Sequence, residues 1–207
     1  MSNADLVTNN NNARGVAGIL AIQGDFAMHA KMLDRIGAPW KLIKHAREIQ
    51  GVDGLILPGG ESTTMLKFFS GEGMGEGVRE FAVAGKPVFG TCAGAILLAG
   101  DVTGPSQETL GLLDISIERN AYGRQIDSSV RTGECPGLTD HPIEMVFIRA
   151  PIIRRVGDRV KVLGRADGLP VLVEQNNLLA ATFHPELTED ETVHRYFLGK
   201  MNQPPTG

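Results

Sequence analysis

Cysteine is scarce in this chain. Among 207 residues there are two, Cys92 and Cys135. No Cys-x-x-Cys occurs, so neither a zinc knuckle nor a redox pair is indicated. A disulfide framework is excluded in practice, and a reducing cytoplasm is the compartment expected. Positive charge is not in excess: the formal net charge is −4. No basic stripe or aromatic platform is present, which removes a nucleic-acid surface. Apolar runs of transmembrane length are missing, and the N-terminus has no signal-peptide pattern. What remains is a chain 42% hydrophobic, long enough to bury a core of its own.

Glycine is abundant, at 26 residues, and suits a fold with many tight strand-to-helix turns. Residues 1–14 are polar and asparagine-rich and read as a disordered leader or a vector-derived remnant. The folded domain is expected over 15–201, with a loose tail at 202–207. Val16 to Ile22 is a short apolar run of the kind shown by a parallel strand buried on both faces. Helical spacing follows from Phe26 to Ile36, ended by Gly37 and Pro39. Trp40 to Lys44 is a second strand and Val52 to Leu57 a third. The third runs into Pro58-Gly59-Gly60-Glu61-Ser62 and a helix to about Phe69. After Gly100 the βα rhythm gives way to alternation: strands are expected at 112–118, 143–148, 160–165, 169–174 and 178–183. A final helix is expected from about Glu189 to Met201. No internal repeat is visible. The pattern predicts one α/β domain in three layers, flavodoxin-like: a mostly parallel sheet, helices on both faces, and an antiparallel extension.

The chemistry centres on Lys86 to Gly100. A short apolar run passes through Gly90-Thr91-Cys92-Ala93-Gly94 into small helix formers. This is the form of a nucleophile elbow, with cysteine where hydrolases carry serine. A lone cysteine in an apolar stretch is usually a small buried hydrophobe; the flanking glycines change that reading, because a nucleophile at such an apex leaves no room for side chains beside it. The new helix points free N–H groups at the thiol, which favours thiolate. The Ala93 N–H is placed to hold an oxyanion.

A nucleophile needs a base. His184 ends a strand, where open α/β sheets place their sites. Glu186 lies two residues on, and an extended backbone through Pro185 would turn both side chains the same way. The carboxylate would then fix the tautomer and stabilise the imidazolium. His29 and His194 fall in helical stretches and read as surface or packing residues. A metal site needs more grouped ligands than His184 and Glu186 supply, and no cofactor is indicated. The Gly59-Gly60 turn permits a backbone that shows N–H groups to an oxyanion or carboxylate. It is not a P-loop, since the Gly-Lys-Ser/Thr ending is missing.

Gly90-Thr91-Cys92-Ala93-Gly94, Pro58-Gly59-Gly60-Glu61-Ser62 and His184-Pro185-Glu186 together resemble the triad (class I) glutamine amidotransferases. Within that family the likeness is to the glutaminases that serve pyridoxal 5′-phosphate synthesis. It is carried further by Leu20 to Phe26, by Glu118 to Gln125 and by Phe147-Ile148-Arg149-Ala150-Pro151, and it runs from Val16 to Met201. The resemblance implies hydrolysis of L-glutamine to glutamate and ammonia, with ammonia passed to a synthase (lyase) subunit in a large hetero-oligomer. By position it makes Cys92 the nucleophile, with His184 and Glu186 completing the triad. Gly59, Gly60 and Ala93 would form the oxyanion hole. Gly60, Glu61, Ser62, Arg119, Ile148 and Arg149 would contact glutamine, an arginine meeting its α-carboxylate. Alternatives are the glutaminase of another amidotransferase, such as that of imidazole glycerol phosphate synthesis, a cysteine peptidase or γ-glutamyl hydrolase, and a non-catalytic binding subunit.

Overall fold

The computed structural model describes residues 15–21, 24–69, 73–119 and 128–203. The leader, residues 22–23, residues 70–72, residues 120–127 (which include 120–125 of the Glu118–Gln125 motif), and 204–207 of the tail lie outside the described residues.

The chain begins with β1 (Ala17–Leu20), α1 (Phe26–Ile36) and β2 (Trp40–Ile43), then a 3-10 turn at Ala46–Gly51. Gly37 closes α1 with φ 72° and returns its N–H to the last carbonyls, the usual left-handed stop. β3 (Gly54–Leu57), α2 (Ser62–Phe69), α3 (Met74–Val83), β4 (Val88–Thr91) and α4 (Ala93–Leu98) follow. The second half supplies β5 (Ala99–Thr103), β6 (Leu113–Glu118), β7 (Ser128–Gly133), β8 (Ile143–Ile148), β9 (Ile152–Val156), β10 (Lys161–Ala166), β11 (Leu169–Gln175) and β12 (Leu178–Ala181). A 3-10 turn at Pro185–Leu187 and α5 (Thr192–Met201) end it.

Seven strands form one sheet in the order β10-β11-β12-β4-β3-β1-β2. β2, β1, β3, β4 and β12 are mutually parallel, and β11 and β10 extend the sheet antiparallel. Alternation along each central strand divides the core. Leu55 and Leu57 of β3 pack with Met65, Val78 and Leu97 on one face. Ile56 packs with Leu33, Phe89, Phe183 and Phe197 on the other. Helices α2 to α4 thus cover one face, and α1 and α5 the other, so the central strands are apolar throughout.

Two smaller sheets lie outside this frame: β5-β6-β9, and the hairpin β7-β8. The expected strands at 112–118 and 143–148 exist, but they belong to these sheets rather than to the central one. β5, β7 and β9 were not expected.

Register positions the site. Leu57 pairs with Gly90, and Thr91 with Ala181. The loops leaving β3, β4 and β12 therefore emerge side by side at one edge of the sheet. This is the carboxyl edge, where ligands of open α/β folds bind.

Candidate active site

Cys92 occupies the turn between β4 and α4 with φ 47° and ψ −103°, a conformation that costs a non-glycine residue energy. The surroundings hold it there. Its N–H donates to the Ala181 carbonyl of β12 (2.8 Å), and its carbonyl accepts from Ile96 N–H (3.2 Å). Both motif glycines answer to close approach. A Cβ on Gly90 would lie 2.6 Å from the Gly94 carbonyl carbon, and one on Gly94 would lie 2.0 Å from the Leu57 carbonyl oxygen. The chain folds back so tightly that only hydrogen fits at either place. Ala93 opens α4 and is 1% exposed.

His184 follows β12 and is anchored by its own N–H, which donates to Val146 of β8 (2.8 Å). Its Nδ1 lies 2.8 Å from Glu186 Oε1 and 3.4 Å from Asp25 Oδ2. The extended backbone expected through Pro185 is not what forms. Pro185–Leu187 is a 3-10 turn, with Leu187 N–H donating to the His184 carbonyl (3.2 Å). Proline is suited to the first position of such a turn, where its missing N–H costs nothing. Glu186 thus reaches the imidazole by wrapping beneath it, and ends 2% exposed.

Burial alone would lower the pKa of His184. Its interactions with Cys92 and Glu186 outweigh that and raise it to about 10. Glu186 moves up from the ordinary carboxylate value because it is buried, an effect that its bond to His184 and the imidazolium charge oppose. Nε2 of His184 is buried without a hydrogen bond of ordinary length. Cys92 is the group that raises the His184 pKa from this side of the ring, and pairs of this kind commonly tighten only when substrate binds.

The Gly59-Gly60 turn closes over this pair. A Cβ on Gly59 would lie 2.4 Å from His184 Cε1 and 3.4 Å from Cys92 Cβ. The Gly59 carbonyl accepts from Asp25 N–H (3.3 Å). In a planar trans peptide the following N–H points the opposite way, so this bond sets the direction of the Gly60 N–H.

A cavity of about 300 Å³ opens beside Cys92 and His184. Gly60, Glu61, Ser62, Arg119, Ile148 and Arg149 all line it. The β7-β8 hairpin brings in Ile148, whose carbonyl lies 3.9 Å from Cys92 Sγ. Arg149 is held at φ 43°. The cavity is also lined by Gly24, Asp25 and Pro151, which lie in stretches that carry the resemblance, and by Ile96 of α4. Asp25 was open to recognition, since it stands at the end of the first strand on the same edge as the elbow. Gln107 was not. Its Oε1 accepts from Ser62 Oγ at 3.0 Å, across a loop that carries no pattern of its own.

Among the described residues, Asp25, His184 and Glu186 bring three metal-type donors within 4.8 Å of one another. They are the atoms that pair the imidazole with carboxylate. A cation there would displace the Nδ1 proton that Glu186 accepts. The arrangement therefore sets a cysteine thiol beside an imidazole that is bonded to a buried carboxylate, a pattern suited to nucleophilic catalysis.

Residues 19–203 match the model of the SNO glutamine amidotransferase family. The chain belongs to that family. Among its relatives, the pyridoxal 5′-phosphate synthase subunit PdxT of Solibacter usitatus is 52% identical over 189 residues, covering 89% of this chain and 98% of that protein. PdxT of Thermus thermophilus is 50% identical over 187 residues, covering 89% and 97%. A crystal structure of a glutamine amidotransferase superposes with a TM-score of 0.86 at 46% identity, covering 91% of this chain and all of the other. A family of amidotransferases needs a site that breaks a carboxamide, and the Cys92 cavity has the groups for it.

Proposed function

We infer that this chain is the glutaminase subunit of a pyridoxal 5′-phosphate synthase, hydrolysing L-glutamine and delivering ammonia to the synthase subunit. The observation that supports this most directly is the convergence of Cys92, His184 and Glu186 on one cavity, in a chain about half identical to PdxT proteins.

Glutamine enters with its carboxamide toward Cys92, and its α-carboxylate is met by Arg149 or Arg119. Ser62 Oγ and Glu61 serve its α-ammonium. Cys92 Sγ attacks the amide carbon as thiolate. The oxyanion is received by the N–H of Ala93 and by one N–H of the Gly59-Gly60 turn. Protonated His184 donates through Nε2 to the leaving nitrogen, and ammonia departs. The thioester remains on Cys92. Water then loses a proton to His184 as it attacks, and glutamate is released. Glu186, fixed at Nδ1, keeps the ring in one tautomer and stabilises it when charged.

No helix among the described residues is long and apolar enough to cross a membrane. A cytoplasmic setting suits a thiol nucleophile that must stay reduced. We take the glutaminase domain as 15–201, flanked by a leader and a short tail.

The test is glutamate release from glutamine, with and without the synthase subunit, alongside transfer of glutamine nitrogen into the synthase product. Labelled amide nitrogen should appear in that product. Glutamate release with no transfer to this synthase, but with transfer to another acceptor enzyme, would assign the subunit elsewhere.

A further inference from the structure

Behind the triad lies a second pair of histidines that the mechanism does not use. His29 of α1 and His194 of α5 are both fully buried. His29 Nδ1 lies 2.9 Å from His194 Nε2. His29 Nε2 lies 3.2 Å from Thr91 Oγ1, one residue before the nucleophile, and 3.5 Å from Glu186 Oε1. One imidazole thus touches the residue beside the nucleophile and the carboxylate of the triad.

The proton positions follow from which groups have partners. Burial lowers the pKa of both rings, and for His29 the neighbouring His194 and His184 lower it further, so both are neutral near pH 7. Each neutral ring carries one N–H. His194 Nδ1 has no hydrogen-bond partner, and an orphaned buried N–H costs more than an orphaned lone pair facing apolar neighbours. The His194 proton therefore sits on Nε2 and is donated to His29 Nδ1. That places the His29 proton on Nε2, donated to Thr91 Oγ1, with Glu186 Oε1 3.5 Å from the same nitrogen. The opposite arrangement would strand a donor at His194 and aim a bare lone pair at a carboxylate.

We propose that His29, its tautomer set by His194, is a positioning residue of the glutaminase triad: its Nε2–H holds Glu186 in place as the anion that His184 needs. The proposal rests on the glutaminase reading above. It assigns work to a chain of three rings and a carboxylate running from α5 through α1 to the active site.

The consequence is a pH signature. The charged and titratable groups facing His184 and Glu186 are Asp25 from the loop before α1, His29 from α1, Cys92 at the start of α4, and His194 behind His29 from α5. Glu61, Arg119 and Arg149 line the cavity beyond. Removing the His29 donor raises the proton affinity of Glu186. A Glu186 that is less anionic supports the His184 imidazolium less, so the His184 pKa falls.

The experiment is steady-state glutaminase kinetics of the full chain with its synthase partner, across pH, for wild type, His29→Phe, His29→Gln and His194→Phe. Nitrogen-15 NMR of the histidines in the wild type accompanies it. His29→Phe should lower kcat about tenfold, at the low end of what outer hydrogen-bond partners of a functional histidine contribute, with KM within about twofold. The alkaline limb of kcat/KM should move to lower pH. His29→Gln, which keeps an N–H near the same point, should recover most of both. His194→Phe should move the limb in the same direction by less, and serves if His29→Phe does not fold. The NMR spectrum should show His29 and His194 as neutral Nε2–H tautomers. A wild-type pH profile in folded His29→Phe, no recovery in His29→Gln, or a His29 protonated at Nδ1 overturns the proposal. Failure of the glutaminase reading itself shows differently, as wild type that releases no glutamate.

Discussion

At the scale of single residues, the site depends on places where no side chain can be added. Gly59 is the clearest. Its Cβ would lie 2.4 Å from His184 Cε1, so the imidazole itself must shift to admit it. Gly59→Ala should lower kcat by about 10²-fold or more, the range of a displaced acid–base group, while costing little stability. Parallel measurement of glutamate release and thermal unfolding checks this: loss of stability equal to loss of activity would make Gly59 a folding residue only. Glu186→Gln keeps the volume and removes the charge. Its loss in kcat should be about 10²–10⁴-fold and smaller than that of His184→Ala. Unchanged turnover would move the third role in the triad elsewhere.

At the scale of elements, α1 and α5 meet across a pair of buried neutral histidines, and this shapes stability against pH. The pKa of His194 is lowered by burial to about 3, and that of His29 falls well below its usual value. In the unfolded chain both accept protons below about pH 6.5. The unfolded state then binds more protons than the folded one, so stability falls as pH drops below about 6.5. Each such proton contributes a slope of about 1.4 kcal/mol per pH unit. His194→Phe should make the decline of Tm between about pH 6 and 4 shallower, by one proton. An unchanged slope would mean that His194 is protonated in the fold. The elements themselves differed in how legible they were. The central strands announce themselves as short apolar runs, because both faces are covered. β7 does not: Ser128 to Gly133 is mostly exposed on a two-stranded hairpin, and such strands lack an apolar signature. β5 was hidden because Ala99 and Gly100 continue the small-residue run of α4, and the helix stops after six residues. Cys92, His184 and Glu186 stand out in the sequence because glycine and proline mark their turns. The contacts of Gln107, and those of His29 that make it more than a surface or packing residue, are hidden in the sequence because the partners lie 45 and 165 positions away, at Ser62 and His194.

At the scale of the whole molecule, the catalytic edge of the sheet carries a turn that can be biased from outside. The Gly59 carbonyl is held by Asp25 N–H, in a segment following Gly24, whose own φ is 88°. Glycine permits the backbone angles of either orientation of the Gly59-Gly60 peptide, only one of which aims an N–H at the oxyanion, and a flip exchanges the Asp25 bond for others. A synthase subunit that binds one orientation better shifts the population by that difference in affinity. Glutamate release should therefore be low for the isolated chain and rise clearly when the synthase is added. Full turnover by the isolated chain would contradict this switch and leave the triad untouched. The central claim is that Cys92 alone forms the covalent glutamyl intermediate. Its most direct test is labelling with a glutamine-analogue electrophile in the presence of the synthase, followed by peptide mass mapping. Burial pushes the Cys135 thiol up to about 11, which keeps it unreactive. The account predicts one adduct, on Cys92, prevented by glutamine and lost in His184→Ala. Equal labelling of Cys92 and Cys135, or labelling that glutamine does not prevent, would contradict it.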